Sequence, residues 1–243
     1  MGDRTNRGRC AERRLLMMGA ALWLGGLVVG IVAGIFHASP PGGDANDLVA
    51  TFPGIAASGT WVAAHVGQLA GAWIVLAGLL VLYRAFELTA TTSVLGMLGA
   101  AATIAAGAVV AIQFAVDGIA LKHAVDAWAI APEPEKVGAF QAARTVRFLE
   151  WSATSFYAML EGVSFVLLGL VMLRSTAIPQ WLGGLLCVSG LGDIATGVLI
   201  GSEGFSPIST TVGATSALLA PVVAIGLGVI GWRRSPRDAR PDT

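Results

Sequence analysis

The chain reads as an all-α polytopic membrane protein: a bundle of six transmembrane helices with a helical hairpin extending from its outer side. Three observations predict this. Hydrophobic residues fill 55% of the 243 positions and charged residues only 12%, with a mean hydropathy of +0.75. Six apolar stretches, near residues 14–37, 62–83, 94–118, 148–173, 180–200 and 212–232, are long enough to span a bilayer. Arginine and lysine are sorted by side. With the N-terminus inside, the cytoplasmic segments hold eleven basic residues (Arg4, Arg7, Arg9, Arg13, Arg14, Arg84, Arg174, Arg233, Arg234, Arg237, Arg240) and the outer segments four (Lys122, Lys136, Arg144, Arg147). That bias orients both termini to the cytoplasm and suits the plasma membrane. The net charge of zero carries no information, because the charges are segregated.

The elements follow in order. Residues 1–13 form a basic tail, expected to be disordered and too short to imply nucleic-acid binding; the transmembrane domain then covers 14–233. The apolar run Leu15–Phe36 is too long for a signal-peptide core and no small-x-small site follows it, so it reads as a retained helix. The first outer loop opens with Pro40, Pro41, Gly42 and Gly43. Its second half, LVATFPGIAASGTW, is apolar enough to lie on the membrane or fold back over the helices. Trp61, Trp151 and Trp181 mark interfaces. The connection 119–147 is Ala-rich and lacks breakers until Pro132, so the third helix should continue beyond the membrane, turn at APEPEK and return as an extended fourth helix. Short inner loops make the second and third, and the fourth and fifth, helices antiparallel neighbours. Small-xxx-small faces on the third, fifth and sixth helices suit close packing. Pro221 predicts a kink in the sixth helix, and 234–243 form a disordered tail. Cys10 is cytoplasmic and Cys187 lies within a helix, so no disulfide is expected.

The fourth stretch carries a polar stripe. Glu150, Thr154, Tyr157, Glu161 and Ser164 recur at spacings of four, three, four and three, which puts them on one helix face. Glu161 lies roughly 20 Å below the outer end at ~1.5 Å per residue, near the bilayer middle. A carboxyl there costs a few kcal/mol unless protonated, paired or wetted. Ranked by depth, His37, His65, Asp117 and Glu150 are outermost. Gln68, Gln113, Thr154 and Asp193 lie about 10 Å down at the same rise per residue. Tyr157, Glu161 and Ser164 are deepest. Gln113 and Asp117, four apart, should share a face.

This pattern predicts an outward-opening polar cavity enclosed by the second to fifth helices, closed toward the cytoplasm. Gln68, Gln113, Asp117, Glu150, Thr154, Tyr157, Glu161 and Asp193 would bind or pass a small polar solute, a cation or a proton. Glu161 and Asp193 fall at one height and should share a proton, since two close carboxyls are not both ionised cheaply. Simple packing of neutral acids is the alternative. Arg144 and Arg147 either pair with Glu150 or Asp117 or receive an anion.

His37, His65 and His123 are the only histidines and all lie on the outer side. Imidazoles beside carboxylates suit Zn, Cu, Fe or Ni, and a site with an open position activates water. No HxxxH, HExxH or HxH spacing pre-arranges two of them, so they would have to converge from separate segments. A bis-histidine haem beside Gly67 and Gly71 is one version. Interfacial hydrogen bonding or pH sensing is the other reading. The functional alternatives are therefore a solute-binding or transport protein, a metal or haem membrane protein, and an accessory subunit that binds a membrane-protein partner or a second copy. Whether the chain is an enzyme stays open.

Ile178, Pro179, Gln180, Trp181, Leu182, Gly183 and Gly184, with Gly190 beyond, resemble the Pro-x-Trp-Leu-Gly helix opening of uncharacterised six-helix multi-pass membrane proteins of high-GC bacteria. The Ala, Gly, Val and Arg usage agrees. The resemblance implies the fold and no activity, cofactor or site residue.

Overall fold

A computed structural model describes residues 2–37, 44–86, 93–176 and 178–233. The elements are α1 (Gly2–Ile35), α2 (Leu48–Ala57), α3 (Trp61–Phe86), α4 (Ser93–Ala115), a π-helical segment (Val116–Leu121), α5 (Lys122–Ile130), α6 (Glu133–Leu173), α7 (Gln180–Glu203) and α8 (Pro207–Arg233). Six stretches are long and apolar enough to cross a membrane, so the chain is an all-α polytopic bundle. The C-terminal tail and the Pro-Gly start of the first loop lie outside the described residues. The N-terminal tail departs from expectation: α1 already begins at Gly2. Arg, Ala and Glu favour a helix there, against Gly8 and the weaker helix formers Asp3, Thr5 and Asn6.

The six long helices pack as a ring: α1 on α3, α3 on α4, α4 on α6, α6 on α7, α7 on α8, and α8 back on α1. Two seams are the closest. On α1/α3, a Cβ at Gly26 would stand 2.6 Å from the Gly71 carbonyl oxygen, and one at Gly71 would stand 2.7 Å from that of Gly26. On α6/α7, Gly169 and Gly183 approach in the same reciprocal way, at 2.7 and 2.8 Å. The seam glycines recur every seven residues, as Gly19 and Gly26, Gly71 and Gly78, Gly162 and Gly169, and Gly183, Gly190 and Gly197. A seven-residue repeat keeps one contact line facing its partner along the helix. A four-residue spacing also takes part, since Gly71 packs against both Gly26 and Gly30, and the seams fall chiefly on the first, second, fourth and fifth transmembrane helices.

One end of the ring carries the chain termini and is filled by apolar side chains: Leu16, Leu79, Leu82, Leu168, Met172 and Leu182 are fully buried. The other end carries the α5/α6 hairpin. There α2 folds back, so that Phe52, Ile55, Trp61, Leu121, Val125 and Ala143 form a second core. The Phe52 ring lies 5.4 Å from Phe140 and 5.9 Å from Trp128. Asp47 caps α2 by accepting from the Ala50 N–H at 3.1 Å. Asn46 straps this cap to the α7/α8 turn, donating to the Glu203 carbonyl at 2.9 Å and accepting from the Phe205 N–H at 2.8 Å. Gly204 makes that turn at φ 72°, a backbone conformation that favours glycine.

Candidate functional site

The predicted polar residues fall into two groups, not one funnel. The first lies at the hairpin end. His65 stands one turn after Trp61 on α3, and its Nδ1 is 2.7 Å from the Trp61 carbonyl oxygen. A carbonyl only accepts, so Nδ1 carries the hydrogen. The other nitrogen, Nε2, meets Asp117 Oδ2 at 2.9 Å. Asp117 sits in the π-helical segment, a rare wide turn often found at functional sites. The Trp61 indole N–H holds that segment by donating to the Asp117 carbonyl at 2.9 Å. The next residue, Gly118, presses on the histidine; a Cβ there would lie 2.5 Å from the His65 Cβ.

From α6, Arg147 Nη1 lies 3.0 Å from Glu150 Oε2 and 3.7 Å from Asp117 Oδ1. The guanidinium also packs over the Phe205 ring at 5.2 Å. Thr154 donates to Glu150 Oε1 at 3.2 Å. All four charged or chargeable members are buried: His65 and Glu150 are 1% exposed, Asp117 and Arg147 6%. His37, just past the end of α1, stacks on this group with its ring centroid 4.5 Å from Trp61 and 4.9 Å from His65.

The second group lines a cavity of about 320 Å³ in the middle of the ring. Its polar lining is Gln68, Tyr157, Glu161 and Asp193. The Tyr157 hydroxyl donates to Glu161 Oε1 at 2.7 Å. Ser216 on α8 places its hydroxyl 2.5 Å from Asp193 Oδ1. Trp23 and Phe165, 5.4 Å apart, line the cavity next to the apolar end of the ring.

The cavity walls are α1, α3, α6, α7 and α8. Of the second to fifth transmembrane helices expected to enclose it, α3, α6 and α7 do and α4 does not, whereas α1 and α8 also line it, because the ring closes α8 onto α1. The close contacts of that pair fix its register. The Cβ position of Gly231 is 2.8 Å from Met17 Cγ, and that of Gly228 is 3.5 Å from the Ala20 Cβ. Three residues along α1 therefore match three back along α8, and the same count sets Ile31 level with Ala217. Both line the cavity and both are exposed, Ile31 by 66%, so they form its rim.

The remaining candidates lie elsewhere. Gln113 joins neither group, and its Oε1 is buried with no hydrogen-bond partner. Arg144 is exposed and stacks on Phe148 at 5.1 Å, so Arg147 alone meets the acids. His123 is exposed on α5, outside the group that His37 and His65 make with Asp117. The rings of His37 and His65 lie against each other, with centroids 4.9 Å apart, and no flat gap separates them. Ser164, the deepest member of the stripe, instead locks three helices: its hydroxyl meets that of Thr103 at 2.6 Å, and Tyr83 donates to its carbonyl.

Sequence reasoning missed Ser216, Trp61 as a support for His65, and Gly118. An Asp-Gly pair inside an apolar helix was a usable signal for the last. Nothing in the local pattern around Ser216 singles it out.

A family profile described as "Domain of unknown function (DUF4386)" matches residues 17–232. The chain belongs to this family. The match takes in both polar groups and reaches far beyond the segment around Pro179 that carried the sequence resemblance. No curated protein and no solved structure matches the DUF4386 chain significantly.

Proposed function

We propose that this protein binds a small solute carrying an ammonium or other hydrogen-bond donors in the central cavity. The orientation follows the arginine bias, with the hairpin end outside the plasma membrane and both termini in the cytoplasm. The observation that carries the reading is that two acids from different helices, Glu161 and Asp193, line one chamber of about 320 Å³. That volume is in the range of small-molecule sites, about 300–1,000 Å³. Tyr157 and Ser216 each bring one hydroxyl to these acids. A carboxylate offers about four acceptor positions, so a bound donor has unfilled positions to occupy. Gln68 adds a neutral amide on the opposite wall. The apolar end of the ring closes the cytoplasmic side, so the reading is of a binding site filled from the outer half. Passage across the membrane would require the Leu79, Leu168 and Leu182 layer to part.

The test is a panel of small primary and quaternary amines, sugars and carboxylates, titrated calorimetrically against the full chain in lipid nanodiscs. An amine should bind, and Glu161→Gln with Asp193→Asn should weaken it by roughly tenfold or more, as expected for charge-assisted hydrogen bonds. Binding of anions with equal strength, or amine binding unaffected by both substitutions, would reject the proposal.

A further inference from the structure

We infer that His65, Asp117 and His37 form a binding site for one divalent transition-metal ion of the Zn²⁺ or Co²⁺ kind, separate from the central cavity. One ligand atom from each residue can be chosen so that all three lie within 4.8 Å of one another. Bond lengths of ~2.0–2.2 Å around a tetrahedral ion set ligand atoms a little over 3 Å apart. His65 Nε2 and Asp117 Oδ2, at 2.9 Å, are close to that spacing already. His37 follows the end of α1, where a small backbone adjustment brings its ring in.

The hydrogen-bond logic of His65 carries the argument. Its Nδ1 hydrogen is committed to the Trp61 carbonyl, so in the neutral ring Nε2 presents a lone pair to a carboxylate oxygen. Two lone pairs in contact repel; a cation between them makes the contact attractive. A ring held through Nδ1–H to a backbone carbonyl is also the usual posture of a metal-ligating histidine. Asp117 Oδ1 is buried with no hydrogen bond, and Arg147 approaches it only to 3.7 Å. A proton on His65 would also make the His65–Asp117 contact attractive, but it engages only two of the three side chains. A metal ion uses all three side chains.

The experiment is titration of metal-stripped, full-length protein in nanodiscs with Co²⁺, followed by its visible ligand-field bands and by competition with Zn²⁺. The expected result is one saturable equivalent with the intense bands of a four-coordinate site, displaced by Zn²⁺. His65→Ala and Asp117→Asn should abolish it, and His37→Ala should weaken it at least tenfold. His37 lies outside the helices, so that variant folds even if the other two do not. His123→Ala, at an exposed histidine, should change nothing. Absence of a saturable equivalent, or binding that survives His37→Ala and either buried variant unchanged, would overturn the inference. So would a His65 ¹⁵N spectrum of a doubly protonated ring that Zn²⁺ leaves unaltered. The amine titration of the central cavity is independent, so either proposal fails without the other.

Discussion

The two polar sites share α6 but answer their charges differently. At the hairpin end, Glu150 and Asp117 face a guanidinium and an imidazole, all four side chains buried against one another. Eleven residues further along the same helix face, Glu161 meets a tyrosine hydroxyl and space. The first site is packed, and its members depend on each other. The second is hollow, and its acids have acceptor positions to spare. One helix stripe thus supplies both a closed ion cluster and a receptive chamber; what separates them is which helices stand opposite. The π segment and Trp61 fill the space before Glu150, whereas α1 and α8 leave room before Glu161.

The largest expected effect breaks the closed site. Arg147→Met leaves two buried carboxylates without their cation and should destabilise the fold by about 3–5 kcal/mol, the usual cost of stripping one partner from a buried pair. Glu161→Gln should cost far less, since the cavity acid has no cation to abandon. Unfolding of both variants in nanodiscs measures the contrast; equal losses would erase the distinction between the two sites. Next comes Gly118→Ala. Its Cβ would sit 2.5 Å from that of His65, so the π segment must shift, at about 1–3 kcal/mol. The His65–Asp117 contact should lengthen with it. Unchanged stability together with unchanged Co²⁺ titration would show that the segment is not held against His65.

This contrast also marks what the sequence could convey. The six spans and the extended hairpin are legible because hydropathy, length and the absence of breakers act locally, whereas the apolar half of the first loop reads equally as lying on the membrane or folding back. The stripe from Glu150 to Glu161 is legible because helical periodicity fixes which residues share a face. Its division between two sites is not. Counting ~1.5 Å per residue gives height but no direction around the bundle. Direction depends on neighbours distant in sequence, such as the approach of α8 to α1, and on local irregularity. One extra residue in a turn rotates everything beyond it by about 100° at 3.6 residues per turn. The histidine that meets His65 is His37, while His123 lies beyond the π segment on α5. No periodic signal announces a π turn in a chain this rich in alanine and glycine.

The smallest expected effect sharpens the hollow site. Ser216 has a single hydroxyl hydrogen and two oxygen neighbours, Asp193 Oδ1 at 2.5 Å and the Gly213 carbonyl at 3.0 Å. If Asp193 were ionised, both would be acceptors competing for one hydrogen. If Asp193 carries a proton while the cavity is empty, it donates to the serine oxygen, the serine donates to Gly213, and every group is served; a bound ammonium would take that proton's place. Ser216→Ala tests this with little disturbance. The serine Cβ, only 2.6 Å from where a Cβ on Gly192 would lie, stays in place, so the α7/α8 contact is kept and the hydroxyl alone is lost. Stability should fall by about 1 kcal/mol, the net worth of one hydrogen bond. The informative measurement is infrared difference spectroscopy. A protonated-carboxyl band that vanishes in Asp193→Asn should move to higher frequency in Ser216→Ala, because the acid has lost its acceptor. If the wild-type protein shows no such band at neutral pH and Ser216→Ala shifts only ionised-carboxylate bands, Asp193 is an anion waiting for a cation. The cavity would then hold a standing negative charge in place of a shared proton.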